Sequence, residues 1–294
     1  MDIAIELRDI QKTFGKKKVL RGVSGSIEKG KVVGLLGRNG EGKTTLFRIL
    51  LDIIASDSGN ISVLGMKPNG TGKIRLHVGF VPERPSFHAF MNIEDVFRLR
   101  AGFFPTWNWQ KAEEMAKALE LDIKTAVKAA SKGTLAKTAW ICATAHNPQV
   151  LFLDEPTSGL DAVIRDSVLS HFVRELTEEG KTILVTNHHM EELLGVLDEV
   201  WILAGGRIVA SYSLGELKQN AHQVTGRLKK STSLEGLTLL HQQKMGNLVR
   251  WVVMNKETLA RIRQQDLLEQ MEISSLPVEE TFQLLLANTE EVKS

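Results

Sequence analysis

The stretch that decides the fold of this 294-residue chain is Gly37-Arg38-Asn39-Gly40-Glu41-Gly42-Lys43-Thr44, which directly follows the apolar run Val32-Val33-Gly34-Leu35-Leu36. Residues 45–51 continue it with apolar side chains at helical spacing. Glycines suit this junction because the backbone must turn tightly and direct successive N–H groups at phosphate oxygens, and the positive end of the following helix adds attraction. The stretch therefore predicts a phosphate-binding loop between a strand and a helix.

Within this loop, Lys43 is predicted to reach the β- and γ-phosphates of a nucleotide, and the Thr44 hydroxyl group to bind Mg²⁺. A glycine-rich surface turn is the alternative interpretation. The pattern G-x-x-x-x-G-K-[ST] arises by accident in roughly one chain in a hundred of this length, which favours the nucleotide interpretation. The predicted nucleotide-binding residues of the loop are Gly37, Asn39, Gly40, Gly42, Lys43, Thr44 and Thr45.

Composition and charge describe an ordinary globular chain, 43% hydrophobic and 24% charged, with a net charge of +2. So small a charge gives no strong attraction to nucleic acid, and we expect no nucleic-acid partner. Cys142 is the single cysteine, which excludes an internal disulfide framework and favours a reducing compartment. Because no apolar stretch reaches the roughly 18 to 20 residues of a membrane span, a soluble, cytoplasmic chain is predicted.

A second phosphate-site element is Val150-Leu151-Phe152-Leu153-Asp154-Glu155-Pro156. Its apolar residues predict a buried parallel strand, and two carboxylates emerge at its carboxyl end, where open α/β sheets place their ligands. Asp154 is suited to hold Mg²⁺ through water, and Glu155 to polarise a water molecule aimed at the γ-phosphate. The alternative is a pair of acids that merely starts a turn before Pro156.

A third strand, Thr182–Thr186, is followed by Asn187 and His188. A histidine at the end of a core strand, beside a phosphate site, can hydrogen-bond the γ-phosphate and the attacking water. Taken alone, a histidine at such a position is more often structural.

Together these elements resemble the ATP-binding subunit of ABC transporters, over about residues 3 to 215 and with every motif in order. Residues 154–161 are similar to that family's second nucleotide motif joined to its D-loop, and His188 stands where the family has its switch histidine. Ser131 and Gly133 stand in the place of the family signature, usually written LSGGQ.

Phe14 stands where the family stacks an aromatic ring on adenine. Two departures accompany the resemblance. Lys132 and Thr134 replace a glycine and a glutamine of the signature, and Lys132 either adds positive charge near the partner's nucleotide or is a solvated lysine. Glu83 occupies the place of the Q-loop glutamine, where a carboxylate binds a metal more tightly but adds negative charge beside the triphosphate. We predict that Glu83 remains the metal-sensing residue.

The resemblance implies an α/β fold, with a P-loop NTPase core of ABC ATPase type, an N-terminal antiparallel β subdomain and an inserted helical subdomain at about residues 84–140. The ATP-binding domain is predicted at 1–214 and a small α+β C-terminal domain at 215–294. This C-terminal domain begins with a polar, basic stretch. Dimer contact, regulation and structural padding stay open as roles of the domain. Its predicted elements are a strand at Asn247–Met254, a helix near Lys256–Leu268, a strand at Met271–Leu276 and a helix at Val278–Ala287.

The resemblance also implies ATP hydrolysis with Mg²⁺, coupled to transport by a separate membrane permease. Two subunits, identical or different, would pack head to tail around ATP, so that each phosphate loop faces the Ser131 segment of the other. The implied catalytic residues are Glu155, His188 and Glu83, and the implied metal ligands are Thr44, Glu83 and Asp154. The chain would lie on the inner face of the cell membrane through its permease, and a single cassette with a C-terminal appendage favours export.

Aromatic residues crowd the segment between Glu83 and Ser131. Some must pack the small helical core, but Phe87, Phe90 and the turn at residues 103–107 are predicted nearest the cleft where the permease docks. An ATPase acting on ribosomes or DNA is disfavoured, because the chain has one cassette and no heptad run. A nucleotide-dependent regulatory or binding protein without a transport role stays the alternative.

Overall fold

The computed structural model describes residues 2–157, 173–187, 190–229 and 237–288. Contacts divide the chain into two compact units, Met1–Val209 and Ala210–Ser294. None of the helices in the described ranges combines the length and the apolar composition needed to cross a bilayer. His188, predicted as the switch histidine, lies outside these ranges.

Strands and helices of the first part of the chain are bounded as follows. The strands are β1 (Ile3–Phe14), β2 (Lys17–Glu28), β3 (Val32–Leu36), β4 (Ser58–Val63), β5 (Val78–Val81), β6 (Val150–Asp154), β7 (Thr182–Thr186), β8 (Glu199–Ala204) and β9 (Arg207–Ser213). The helices are α1 (Lys43–Leu50), α2 (Ile93–Phe103), α3 (Trp109–Ala118) and α4 (Lys132–Thr144). Short 3₁₀ helices lie at Lys73–Leu76, Val127–Ala129 and Met190–Leu193.

An antiparallel sheet with the strand order β2-β1-β4 opens the first unit. Ile5, Leu7 and Ile10 on β1 are buried, while Arg8 and Asp9 between them are exposed and Glu6 is half-buried, as expected of a sheet with one face on the core. β1 and β2 join through a tight turn in which Phe14 pairs with Lys17. Gly15 takes a φ of 58° there, a conformation that favours glycine.

A six-stranded sheet with the order β5-β6-β7-β3-β8-β9 forms the centre of the unit, and its pairs from β5 to β8 are parallel. Every residue of β3, β6 and β7 is buried, which is why these strands are almost uninterrupted apolar runs. Because parallel strands end at the same edge of a sheet, the loop after β3, the acids ending β6 and Thr186 at the end of β7 meet there.

Helix α1 packs its apolar side against this sheet, with the Phe47 ring stacked on Phe152 at a centroid distance of 5.6 Å. Three further helices form the segment between β5 and β6. Asn92 and Asp95 make a capping box at the start of α2, and Ser131 caps α4 through the backbone N–H of Thr134. The predicted helical segment at 84–140 thus consists of α2, α3 and most of α4.

The second unit is an α+β structure with an antiparallel sheet in the order β11-β12-β10-β13. Val224, Trp251 and Ile262 are fully buried in its core. Its elements are α5 (Leu214–Asn220), β10 (His222–Leu228), β11 (His241–Met245), β12 (Leu248–Val253), α6 (Lys256–Gln264), β13 (Leu268–Ser275) and α7 (Val278–Asn288).

Strand β11 was not predicted, β13 starts at Leu268 rather than Met271, and two further details of this unit differ from the sequence prediction. The polar stretch after Lys218 contains the central strand β10, whose residues pair with β12 on one side and β13 on the other. The predicted helix near Lys256–Leu268 ends at Gln264, because Asp266 takes a left-handed φ of 48° and Leu268 already pairs with Leu228. Both differences come from strand pairing between distant segments, which local residue patterns do not reveal.

Candidate nucleotide-binding site

A cavity of about 560 Å³ opens at the edge where β3, β6 and β7 end. It is bounded by the β1–β2 turn, the loop between β3 and α1, and the segments that follow β5 and β6. Its size is that of a typical small-molecule site. The residues that line it are Phe14, Lys17, Val19, Arg38, Asn39, Gly40, Gly42, Lys43, Thr44, Thr45, Glu83, Asp154 and Glu155.

Backbone geometry explains the glycines of the loop. Gly40 and Gly42 have φ values of 86° and 109°, which side-chain-bearing residues rarely adopt. A Cβ atom on Gly37 would lie 2.6 Å from the Leu203 carbonyl oxygen. Gly42 is also the N-cap of α1, so no capping side chain occupies the first N–H groups of that helix. These N–H groups form the kind of anion site predicted for the loop.

The Lys43 side chain folds back over this loop. Its ammonium group donates hydrogen bonds to the carbonyl oxygens of Gly37 and, at 3.5 Å, Arg38. Burial lowers the pKa of Lys43, and this is opposed by nearby carboxylates, first Glu155 and then Asp154. An added phosphate group would therefore be attracted to this buried, positively charged side chain.

Asp154 is held at the cavity by two side-chain hydrogen bonds. Its two carboxylate oxygens accept hydrogen bonds from the hydroxyl groups of Thr44 at 2.8 Å and Thr186 at 2.9 Å. The side chain is almost completely buried, with 3% of the residue exposed. The arrangement holds a negative charge in one orientation beside the phosphate loop.

Glu155 has a strained backbone. Its φ is 49°, in the left-handed region, and its N–H group donates to both the carbonyl and the hydroxyl oxygen of Thr186, at 3.1 and 3.0 Å. A non-glycine residue in this region costs roughly 1 to 3 kcal/mol and persists where surrounding contacts enforce it. The strain turns the chain at the end of β6 and leaves the Glu155 carboxylate in the lining of the cavity.

Glu83 and Phe14 stand at the rim. Glu83 follows β5, and its half-exposed side chain is 3.5 Å from the Arg84 guanidinium group. Phe14 is 48% exposed although it is a large apolar residue, because it projects from the β1–β2 turn into the cavity lining. An exposed aromatic ring beside a phosphate loop offers a flat surface for a nucleotide base.

Three predicted residues do not line this cavity: Gly37, at the start of the phosphate loop, and Ser131 and Gly133. The Ser131 hydroxyl oxygen accepts a 3.0 Å hydrogen bond from the Thr134 N–H group, and Gly133 lies in the first turn of α4. Ser131 and Gly133 therefore lie at the start of α4, whereas the phosphate loop precedes α1.

Residues that the sequence analysis missed complete the site. Lys17, Val19 and Arg38 line the cavity, and Thr186 contacts the Asp154 carboxylate and the backbone N–H group of Glu155. Thr186 could have been identified from the sequence, because it is a polar residue at the end of a predicted core strand. Lys17 and Val19 reach the cavity through hairpin pairing alone, which no local motif marks.

The donor set fits a nucleotide with a magnesium ion. No group of three or more histidine, cysteine or acidic side chains able to hold a metal occurs in the described ranges. Mg²⁺ usually binds through one or two protein ligands together with phosphate oxygens and water. Thr44 and Asp154, hydrogen-bonded to each other, match that requirement.

Comparison with known proteins gives concordant matches. A family model described as ABC transporter matches residues 20–158. An uncharacterised ABC transporter ATP-binding protein of Methanocaldococcus jannaschii is 32% identical over 263 residues, covering 85% of this chain and 94% of that protein. The Nod factor export ATP-binding protein I of Rhizobium etli is 34% identical over 219 residues, covering 70% of this chain and 67% of that protein.

Solved structures agree at the level of the fold. The ATP-binding subunit of an ABC transporter superimposes with a TM-score of 0.66 at 25% identity, covering 74% of this chain and 92% of that one. A dimeric ATP-binding cassette in a post-hydrolysis state, bound to ADP and Pi, superimposes with a TM-score of 0.64 at 22% identity, covering 71% of this chain and 98% of that one.

Proposed function

The chain belongs to the family of ABC transporter ATP-binding proteins, and from that membership we propose that it binds Mg²⁺ and ATP in the cavity beside Lys43 and hydrolyses the ATP to drive a separate membrane permease. The observation that carries this proposal is the hydrogen-bonded pair of Thr44 and Asp154 in the lining of that cavity.

The predicted site residues of the cavity have different proposed roles. The loop from Gly37 to Gly42 and the start of α1 bind the phosphate groups through backbone N–H groups, and Lys43 neutralises the β- and γ-phosphates. Thr44, Asp154 and Glu83 hold Mg²⁺, which when bound screens the charge of the phosphate oxygens.

Glu155 is proposed as the group that accepts a proton from the attacking water. Its place in the cavity lining and its enforced backbone turn support this role, because a general base must be held in a constant orientation. His188 is proposed to contact the γ-phosphate, from its position in the sequence two residues after Thr186.

The active unit is proposed to be a dimer in which Ser131 and Gly133 of one subunit contact the nucleotide of the other. Their absence from the lining of their own chain's cavity supports this, since residues at the start of α4 need a second subunit to reach a nucleotide. The partner subunit is a second copy of this chain or a related ATPase.

An apolar groove on the helical segment is the proposed docking site of the permease, which would hold the chain at the inner face of the membrane. This groove, of about 260 Å³, lies beside α2 and is lined by the apolar residues Phe87, Met91, Val96, Leu99 and Phe103 and by the polar residues Ser86, His88 and Arg100. Phe103 is 65% exposed, whereas Phe97 and Phe104 are buried in the helical core. Phe90, which was also predicted near the cleft, is 82% exposed and is not among the groove's lining residues.

Export is the proposed direction of transport. The support is the similarity to a Nod factor export ATP-binding protein, together with a C-terminal unit that follows a single cassette. The cargo depends on the permease and is not encoded in the cavity described here.

Substitution of Glu155 tests the proposal. In Glu155→Gln the water loses its base, so ATP hydrolysis should fall on the order of 10²- to 10⁴-fold and the protein should elute as a dimer on size-exclusion chromatography with Mg²⁺ and ATP, but not with ADP. Glu179→Gln is the matched control, because Glu179 pairs with Lys111 and is not among the cavity-lining residues. Unchanged hydrolysis and no ATP-dependent dimer in Glu155→Gln would favour a regulatory nucleotide-binding protein instead.

The permease is tested separately by copurification. Wild-type chain should retain an integral membrane protein in mild detergent, and Phe103→Ser in the groove should release it. Met245→Ser is the control, because Met245 is 72% exposed but belongs to the second unit.

A further inference from the structure

We propose that Lys12 and Asp57 form a brace that positions the Phe14 ring for contact with the nucleotide base. The inference rests on the proposed function, because it assumes that the cavity binds a nucleotide. It adds two positioning residues, neither of which lines the cavity.

The brace is a short, well-defined ion pair. Lys12 Nζ lies 2.8 Å from Asp57 Oδ1, and the second carboxylate oxygen of Asp57 accepts a 2.6 Å hydrogen bond from the Thr13 N–H group. The Asp57 N–H group in turn donates to the Gln11 carbonyl oxygen at 2.8 Å. Asp57 therefore binds three successive residues of β1, directly before Phe14.

The Lys12 side chain is mostly buried for a lysine, with 15% of it exposed. The hydrogen bond from Lys12 is the main reason that the pKa of the Asp57 carboxyl group is lowered. Isolated surface ion pairs add little to stability, but a pair reinforced by backbone hydrogen bonds fixes geometry.

The same ammonium group lies over the Phe14 ring, 5.5 Å from its centroid. This distance is within the range of a cation–π interaction. A cation over one face of the ring leaves the opposite face for a flat ligand. The ring would otherwise rotate freely at the tip of a hairpin, since Phe14 is half-exposed.

The brace also joins β1 to the segment that leads into β4. Asp57 lies between α1, which starts at Lys43, and β4, whereas Lys12 and Phe14 belong to β1. The ion pair therefore fixes the end of β1, next to Phe14, against the start of β4. A ring placed in advance loses less entropy on binding than a free one.

Calorimetric binding of Mg-ADP and Mg-pyrophosphate tests the brace, because pyrophosphate has no base. Lys12→Met should weaken ADP binding about three- to tenfold, the loss expected for one aromatic contact, and leave pyrophosphate binding within about twofold. In steady-state hydrolysis, KM for ATP should rise by a similar factor with kcat unchanged. Lys12→Arg should restore most of the ADP affinity.

Two further variants make the result specific. Lys29→Met is the matched control, since it breaks the 2.9 Å Lys29–Asp2 pair at the open end of the β1–β2 hairpin, opposite Phe14, and should leave both affinities unchanged. In a Phe14→Ala background, Lys12→Met should cause no further loss of ADP affinity, because the brace acts through the ring. Asp57→Asn should have the same effect as Lys12→Met. Because it preserves the side-chain volume, it replaces Lys12→Met as the test if that variant folds poorly.

Equal weakening of ADP and pyrophosphate, or an undiminished effect of Lys12→Met in the Phe14→Ala background, would overturn the brace while leaving the proposed function intact. A wild-type chain that binds neither ligand would instead overturn the proposed function, and the brace with it.

Discussion

The Thr44 hydroxyl group donates a 2.8 Å hydrogen bond to the Asp154 carboxylate, across 110 residues of sequence. Thr44 lies in the first turn of the helix after the phosphate loop, and Asp154 ends β6, two strands away from β3 in the central sheet. The contact joins two motifs that are separate in the sequence into one candidate magnesium site.

Asp154→Asn should abolish most Mg²⁺-dependent hydrolysis, with a loss on the order of 10²-fold, because an amide binds Mg²⁺ more weakly than a carboxylate. Initial ATPase rates over a series of Mg²⁺ concentrations would measure this. Asp198→Asn is the control, since Asp198 pairs with Lys31 at 2.7 Å, outside the cavity lining. Full activity of Asp154→Asn at ordinary Mg²⁺ concentrations would contradict the assignment.

Glu83→Gln should leave the ATPase rate within a few fold of wild type, because an amide oxygen can still contact the metal. The Mg²⁺ concentration for half-maximal rate should rise, since the neutral group attracts the cation less. Complete loss of activity would show that the acid has a role other than metal contact.

Gly79→Ala should destabilise the first unit by roughly 1 to 3 kcal/mol, the usual cost of overpacking. The added Cβ would lie 2.2 Å from the Ala143 carbonyl oxygen, so that β5 and α4 must move apart. Urea unfolding would measure the difference. Gly102→Ala is the matched control: nothing lies within 4 Å of its Cβ position in α2, and the change should be neutral or stabilising. Equal midpoints for the two variants would refute the packing argument.

His146 should make stability fall in mild acid. Its ring stacks on Phe104 at 4.0 Å, and burial lowers its pKa from 6.5 to about 4. Between these two values the unfolded chain binds more protons than the folded one, so the contribution is complete above about pH 6.5 and is lost as the pH falls toward 4.

At pH 5 the expected loss from His146 is about 2 kcal/mol relative to pH 7.5. Denaturant unfolding at both pH values should show a smaller difference in His146→Gln than in wild type, because glutamine does not titrate. The same pH dependence in both proteins would exclude His146 as its source.

Much of the site was predictable, since its motifs are local. The glycine spacing at 37–42 reflects the backbone angles that a tight phosphate loop needs, and those angles were found at Gly40 and Gly42. The apolar runs of β3, β6 and β7 indicated buried parallel strands because both faces of such strands are covered. The polar strand β10 was missed because its partners are distant in sequence.

The sequence by itself determined the phosphate loop, the core strands and the acids at the end of β6, because each depends on residues adjacent in the chain. Only the tertiary structure decided that Thr186 orients Asp154, that Lys12 and Asp57 meet beside Phe14, and that Ser131 lies outside its own chain's cavity. The reason is physical: these relationships depend on which strands pair and where a helix begins in space, and pairing free energy is spread over many distant contacts.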